Sequence, residues 1–179
     1  MKGIVFNYLG EMVEEQFGLE AWDSLLQITE LDGHFIASKT YPDEQLFTLV
    51  AAASEATGID SKDLIRAFGR FMLPNFKTQN PQFFEGQTGL KEFLLTVDRV
   101  IHVEVRKLHP GAELPEFTYE DESDSELTMH YSSPRKLCFL AEGLIDASAE
   151  HFNTKYELDH TQCMHKGADH CTFKLKILD

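Results

Sequence analysis

Apolar residues recur at helical spacing through the first two-thirds of the chain and at strand-like spacing through much of the rest. Residues 2–17 place Val5, Leu9, Met12 and Val13 on one face, with Phe6 and Phe17 nearby, which predicts an amphipathic helix. A short helix over about 20–29 stops before Asp32-Gly33. Pro42-Asp43 opens an Ala-rich helix running to Gly58, and Ser61 suits the cap of a fourth that ends at Pro74. The stretch 75–88, with Asn80-Pro81 and Gly86, reads as loop or broken helix. A long amphipathic helix then covers about 89–108. Its stripe is Leu90, Leu94, Val97, Ile101, Val105 and Leu108, and Pro110-Gly111 ends it.

Two strands, roughly 116–120 and 127–132, bracket the acidic turn Asp121–Glu126, a solvated loop. A helix over 134–152 packs through Leu137, Leu140, Leu144 and Ile145. Two last strands, about 154–163 and 170–178, are joined by a turn at Lys166-Gly167-Ala168-Asp169. Helices followed by β-β-α-β-β define an α+β fold, a helical lobe beside a small antiparallel sheet. There is no internal repeat and no low-complexity linker.

Composition narrows the function classes. A chain of 179 residues, 42% hydrophobic and 26% charged, is one domain with a substantial core. Its net charge of −14 argues against non-specific nucleic-acid binding and against an anionic membrane surface, although it could steer a basic partner. Asn7, Glu11, Glu14 and Glu15 break the opening apolar run, so no signal peptide is expected, and nothing approaches a membrane span. The cytoplasm is the default compartment, where three cysteines are thiols or metal ligands rather than disulfides. Fourteen Phe residues could wall a large apolar cavity or simply fill core.

Tyr131-Ser132-Ser133-Pro134-Arg135 sets three hydrogen-bond donors at alternate positions where strand meets helix. Two hydroxyls and a planar guanidinium suit a carboxylate or phosphate. The same residues also read as a helix cap, with Ser133 at the N-cap and Pro134 at the first helical position. The cap leaves Arg135 unexplained, because a cation in the first turn opposes the helix dipole. His102 stands beside the apolar stripe of the long helix, flanked by Ile101 and Val103. It reads either as a core histidine satisfied by one hydrogen bond or as an axial haem ligand. A haem asks for such a ligand and for donors to its two propionates.

With Tyr131, Ser133 and Arg135 matching a Tyr-x-Ser-x-Arg signature, and His102 some thirty residues upstream on a long helix, the chain resembles the haem-nitric-oxide/oxygen-binding (H-NOX) domains. These are relatives of the haem region of soluble guanylate cyclase. The resemblance covers the whole chain and implies a single domain, 1–179. A helical distal lobe of about 1–60 and a proximal lobe of about 61–179 would hold haem b between them. It implies that His102 binds iron, that Tyr131, Ser133 and Arg135 hold the propionates, and that Pro115 presses on the haem face; Pro115 also reads as a strand-entry proline. The family's oxygen binders carry a Tyr five residues beyond the Arg. Leu140 stands there, with Leu144 one turn on. Lacking a buried donor, bound O2 gains no hydrogen bond, so nitric oxide and carbon monoxide are the expected ligands and O2 is not.

A second site is suggested by Cys163 and Cys171, four residues either side of Gly167 on the final hairpin and opposite each other across its ladder. His160 precedes Cys163 at zinc-site spacing, and Cys138 lies on the helix packed against the sheet, completing a Cys3His set for zinc. His165 and His170 compete as ligands, and three inert buried thiols are the plainer reading. Some members of the family carry such a zinc.

The function expected from the resemblance is a haem-based nitric oxide sensor rather than an enzyme. With the sequence stopping at Asp179, it would act in trans on a histidine kinase or a diguanylate cyclase. The competing class is a haem enzyme, a peroxidase or a nitric-oxide-consuming oxygenase. Peroxide cleavage calls for a distal His or Arg that no residue clearly offers. A zinc-stapled adaptor without haem is the third reading.

Overall fold

A computed structural model describes residues 1–178, and Asp179 lies outside them. The chain folds as α1 (Gly3–Phe17), α2 (Leu19–Thr29), α3 (Asp43–Thr57), α4 (Ser61–Gln79), α5 (Leu90–Thr96) and α6 (His102–Leu108), then β1 (Glu116–Ser123), β2 (Glu126–Ser132), α7 (Cys138–His151), β3 (Lys155–Gln162) and β4 (Cys171–Leu178). The four strands form one antiparallel sheet in the order β1-β2-β4-β3. This is the expected α+β architecture, and the strands fall within a few residues of their expected ends. β1 runs further than expected, through a register shift between Glu120 and Ser123, so the acidic turn narrows to Asp124-Ser125.

The buried side chains gather into two clusters. One joins Phe6, Leu9, Met12, Trp22, Leu25, Leu46 and Leu49 of α1–α3 with Phe68 and Leu137. The other joins the inner face of the sheet (Leu127, Met129, Tyr131, Phe173, Leu175) with Leu90, Phe93 and Leu94 of α5, Ile145 of α7 and Leu73. Thus α4 contributes Phe68 to one cluster and Leu73 to the other. Its partner is α7, and two glycines let the helices approach: a Cβ on Gly143 would collide with the Arg66 carbonyl, and one on Gly69 with the Leu140 carbonyl.

Expectations for three helices need correction. First, α4 is capped by Asp60, whose Oδ1 accepts from the Lys62 N–H (3.0 Å), rather than by Ser61, and it does not end at Pro74 but continues to Gln79. The ring removes one backbone donor, yet Asn75 Nδ2 donates to the Phe71 carbonyl (3.3 Å) and Thr78 Oγ1 to that of Pro74 (3.0 Å), stitching the turns on either side. Second, the helix expected from 134 begins at Cys138, so Ser133 is not its N-cap. Ser133 instead caps a tight turn. Its Oγ accepts from the Arg135 N–H (3.2 Å) and its carbonyl from the Lys136 N–H (3.1 Å), and Lys136 takes a left-handed φ of 51°. Third, the long helix is interrupted by a π-helical turn, Val97–Ile101, immediately before His102. Such turns are often found at functional sites.

Candidate functional site: an apolar cavity with one imidazole and one polar edge

A cavity of about 320 Å³ opens between the two clusters, within the range of small-molecule sites. Its walls are largely apolar: Ile4 and Val5 from α1, Met72, Leu73 and Phe76 from α4, Leu140, Leu144 and Ile145 from α7, and Phe117 and Met129 from the sheet. The amphipathic stripe also faces it, from Leu94 through Val97, Ile101 and Val105 to Leu108. The helical period therefore marked a cavity wall as well as a core face.

His102 enters this wall from the first residue of α6 and is 8% exposed. Its Nδ1 lies 3.3 Å from Asp98 Oδ1, one turn earlier across the π-helical segment. Asp98 Oδ1 also accepts from the Phe117 N–H at 3.4 Å, so helix and sheet share this carboxylate. Burial pushes the imidazole below its ordinary pKa, outweighing Asp98 and the Pro115 carbonyl, which favour the cation. The ring is thus neutral at pH 7, the form that ligates a metal. Pro115 lines the same cavity just ahead of β1.

Tyr131, Ser133 and Arg135 all line the cavity, at the junction of β2 with the tight turn. Tyr131 is 2% exposed, and burial pushes its hydroxyl up to about 12 although the neighbouring Ser133 side chain and Leu137 backbone favour the ionised form. Arg135 donates from Nε to Asp43 Oδ2 (2.6 Å), from Nη2 to Glu113 Oε2 (2.9 Å) and from Nη1 to the Glu113 carbonyl. Those bonds use three of its five N–H groups and leave two for an anion. Asp43 also takes the Met1 amino group on Oδ1 (2.5 Å), so one carboxylate ties the start of the chain to Arg135. A neutral imidazole in one apolar wall and a phenol, a hydroxyl and a guanidinium at the rim fit a flat apolar cofactor carrying an axially ligated metal and peripheral carboxylates.

Sequence reasoning missed two features of the site, one behind His102 and one in the cavity wall. Asp98 stands at i−4 from His102, a spacing that could have revealed it. Tyr8, on α1, is 4% exposed and lines the cavity, which corrects the expectation of a cavity without a buried donor: the hydroxyl comes from α1, far in sequence from α7.

The cysteines converge as expected. Ligand atoms of Cys138, His160, Cys163 and Cys171 all lie within 4.8 Å of one another, and Cys138 Sγ is 4.0 Å from Cys163 Sγ. The competing histidines are engaged elsewhere: His165 Nε2 contacts the Lys136 carbonyl (2.8 Å) and His170 Nδ1 contacts Asp169 Oδ1 (2.6 Å). Burial and the neighbouring sulfurs push the Cys138 thiol far up; burial raises Cys171 as well.

The fold and this cavity define a domain suited to a haem-like cofactor, and comparison with known proteins makes the class specific. The Haem-NO-binding family model matches residues 2–160. The chain belongs to this family, the H-NOX domains. It is similar to the H-NOX protein from S. oneidensis in the Fe(II)NO ligation state, with 32% identity, a TM-score of 0.95 and 100% of both chains covered. It is also similar to the H-NOX domain from Shewanella oneidensis in the Fe(II)CO ligation state (33% identity, TM-score 0.91, 100% of this chain and 99% of that one). Among curated proteins it resembles soluble guanylate cyclase 89Db of Drosophila melanogaster, 26% identical over 164 residues, which are 90% of this chain and 24% of that protein. The chain spans about a quarter of the length of the curated relatives it matches. Among the described residues no helix is long and apolar enough to cross a membrane.

Proposed function

We propose that this domain is a nitric oxide sensor that holds haem b in the cavity through His102 and signals by letting that residue go. The observation that carries the reading is the placement of a neutral, buried His102 in one apolar wall and the Tyr131–Ser133–Arg135 donors at the rim of the same cavity. Ferrous haem supplies the open coordination position at which a diatomic gas binds. Asp98 holds Nδ1 of His102 and so leaves Nε2 for iron. Tyr131, Ser133 and the two spare N–H groups of Arg135 would hold the propionates, and Pro115, in the same cavity wall, would pack against the cofactor. Leu140 and Leu144 offer the bound gas no donor from α7, which favours nitric oxide and carbon monoxide over O2; the Tyr8 hydroxyl on α1 is the competing donor.

His102 joins the ligand event to the fold. It opens α6, behind a π-helical turn that is a weak point in the helix. On release, the imidazole remains with Asp98 and α6 is freed from the cavity, so a distal lobe of about 1–60 turns against a proximal lobe of about 61–179. The free energy available is the gas's differential affinity for the two arrangements. The surface change is read in trans by a histidine kinase or a diguanylate cyclase in the cytoplasm. Cys138, His160, Cys163 and Cys171 hold zinc, which staples α7 to the β3–β4 hairpin; the donor set is that of a structural site, and the buried His160 Nε2 lacks a partner among the described residues.

The test is the absorption spectrum of the purified protein, oxidised, reduced and reduced with nitric oxide, followed by His102→Gly supplemented with imidazole. A Soret band, a five-coordinate spectrum with nitric oxide, and partner activity in the variant matching the nitric-oxide state are expected. Partner activity equal to that of the unliganded wild type would end the proposal.

A further inference from the structure

Glu142 stands one turn after Cys138 on α7 and is 5% exposed. A carboxylate buried that far requires partners, and it has two. Its Oε1 lies 2.6 Å from His160 Nδ1, and its Oε2 accepts from Arg66 Nη1 at 2.7 Å. Charge balance for Arg66 alone does not explain the residue. Asp146 already grips that guanidinium at two points, Nε to Oδ2 at 2.7 Å and Nη2 to Oδ1 at 3.0 Å, and is itself steadied by the Tyr156 hydroxyl. What Glu142 adds is its contact with His160.

A neutral imidazole carries one N–H, and the other nitrogen presents a lone pair. With the carboxylate at Nδ1, the N–H belongs on Nδ1 and the lone pair on Nε2. Nε2 is the ring atom that is buried with no hydrogen-bond partner among the described residues. The same histidine has a ligand atom within 4.8 Å of those of Cys138, Cys163 and Cys171. A carboxylate behind a histidine, a lone pair ahead of it and three sulfurs within reach form the outer and inner parts of a metal site.

We infer that Glu142 is the positioning residue of the Cys3His cluster, fixing the tautomer and direction of His160 while Arg66 anchors the carboxylate to α4. This rests on the reading of the cluster as a zinc site. Arg66 lies about two turns before Leu73 and three before Phe76, which face the haem cavity, so the cluster, α7 and a cavity-bearing helix share one chain of charge-assisted contacts.

The experiment titrates metal-stripped protein with Co2+, whose tetrahedral thiolate spectrum reports the ligand set, and then measures Zn2+ affinity by competition with a chromophoric chelator. Wild-type protein giving no tetrahedral Co2+ spectrum would sink the zinc reading itself. Given that spectrum, Glu142→Ala is expected to bind Zn2+ about 100-fold more weakly, and Glu142→Gln, which keeps an acceptor oxygen, about 10-fold more weakly. The Gln variant also guards against a fold lost in the Ala variant, checked by far-UV circular dichroism. Asp146→Asn removes one partner of Arg66 but leaves the Glu142–His160 contact, and should cost less Zn2+ affinity than either Glu142 variant. Wild-type affinity in both Glu142 variants, or an equal loss in Asp146→Asn, would overturn the assignment.

Discussion

Asp98, within the π-helical turn that precedes His102, sets its Oδ1 3.3 Å from Nδ1 of that residue. A carboxylate in that position makes the opposite nitrogen a stronger donor to a metal. It also ties the ring to β1 through the Phe117 N–H. Replacing Asp98 by Asn should weaken the bond from His102 to iron. Resonance Raman spectra of the reduced, haem-loaded variant should show the iron–histidine stretch at lower frequency, and nitric oxide should release His102 more readily. An unchanged stretch would mean that Asp98 serves only to hold the helix.

Leu140 lines the cavity on α7 without a polar atom. Leu140→Tyr should place a hydroxyl beside a bound gas. A hydrogen bond of about 1 kcal/mol strengthens O2 binding by roughly fivefold. Reduced wild-type protein exposed to air should show no oxygenated spectrum, whereas the variant should show one before it oxidises. An oxygenated wild-type spectrum would shift attention to Tyr8, whose side chain lines the same cavity.

Acid should attack the α4–α7 seam through Asp146. Burial alone would raise that carboxyl, but hydrogen bonds from Arg66 and Tyr156 and the Arg66 charge outweigh it and lower its pKa in the folded protein. Its stabilising contribution is therefore complete above the unfolded value of about 3.9 and is lost as pH falls through the lower folded value. Melting temperatures of wild type and Asp146→Asn should differ at pH 7 and draw together only as pH falls from about 3.9 through the lower folded value. A difference that stayed constant would assign the effect to packing.

Gly143 faces the Arg66 carbonyl too closely for a methyl group. Gly143→Ala must push α7 from α4, an overpacking that costs about 1–3 kcal/mol. Urea unfolding should detect it. Because Leu140 and Leu144 flank Gly143 on the cavity side, the variant's carbon monoxide dissociation rate should change as well.

Much of this was legible from one sequence because the relevant signals are local. Helical period set α1 and the His102 helix, alternation and turn residues set the sheet, and Tyr131, Ser133 and Arg135 stood within five residues. What escaped depended on contacts across the fold or on departures from regular geometry. The start of α7 moved because Lys136 takes a left-handed conformation under the Ser133 cap. Pro74 signalled an end that side-chain bonds on α4 override. The π turn keeps the apolar period almost intact, so periodicity cannot reveal it. Glu142 looked like an ordinary helix residue because its partners, Arg66 and His160, lie far along the chain on either side.

Phe68 and Leu73 belong to different cores while sharing α4. A helix embedded at both ends cannot fray on one side without dragging the other, so the two halves of the molecule should melt together. Probes placed far apart, such as the fluorescence of Trp22 and the far-UV signal of the sheet, would then trace the same unfolding curve. The helix that is shared by both cores denies them separate lives.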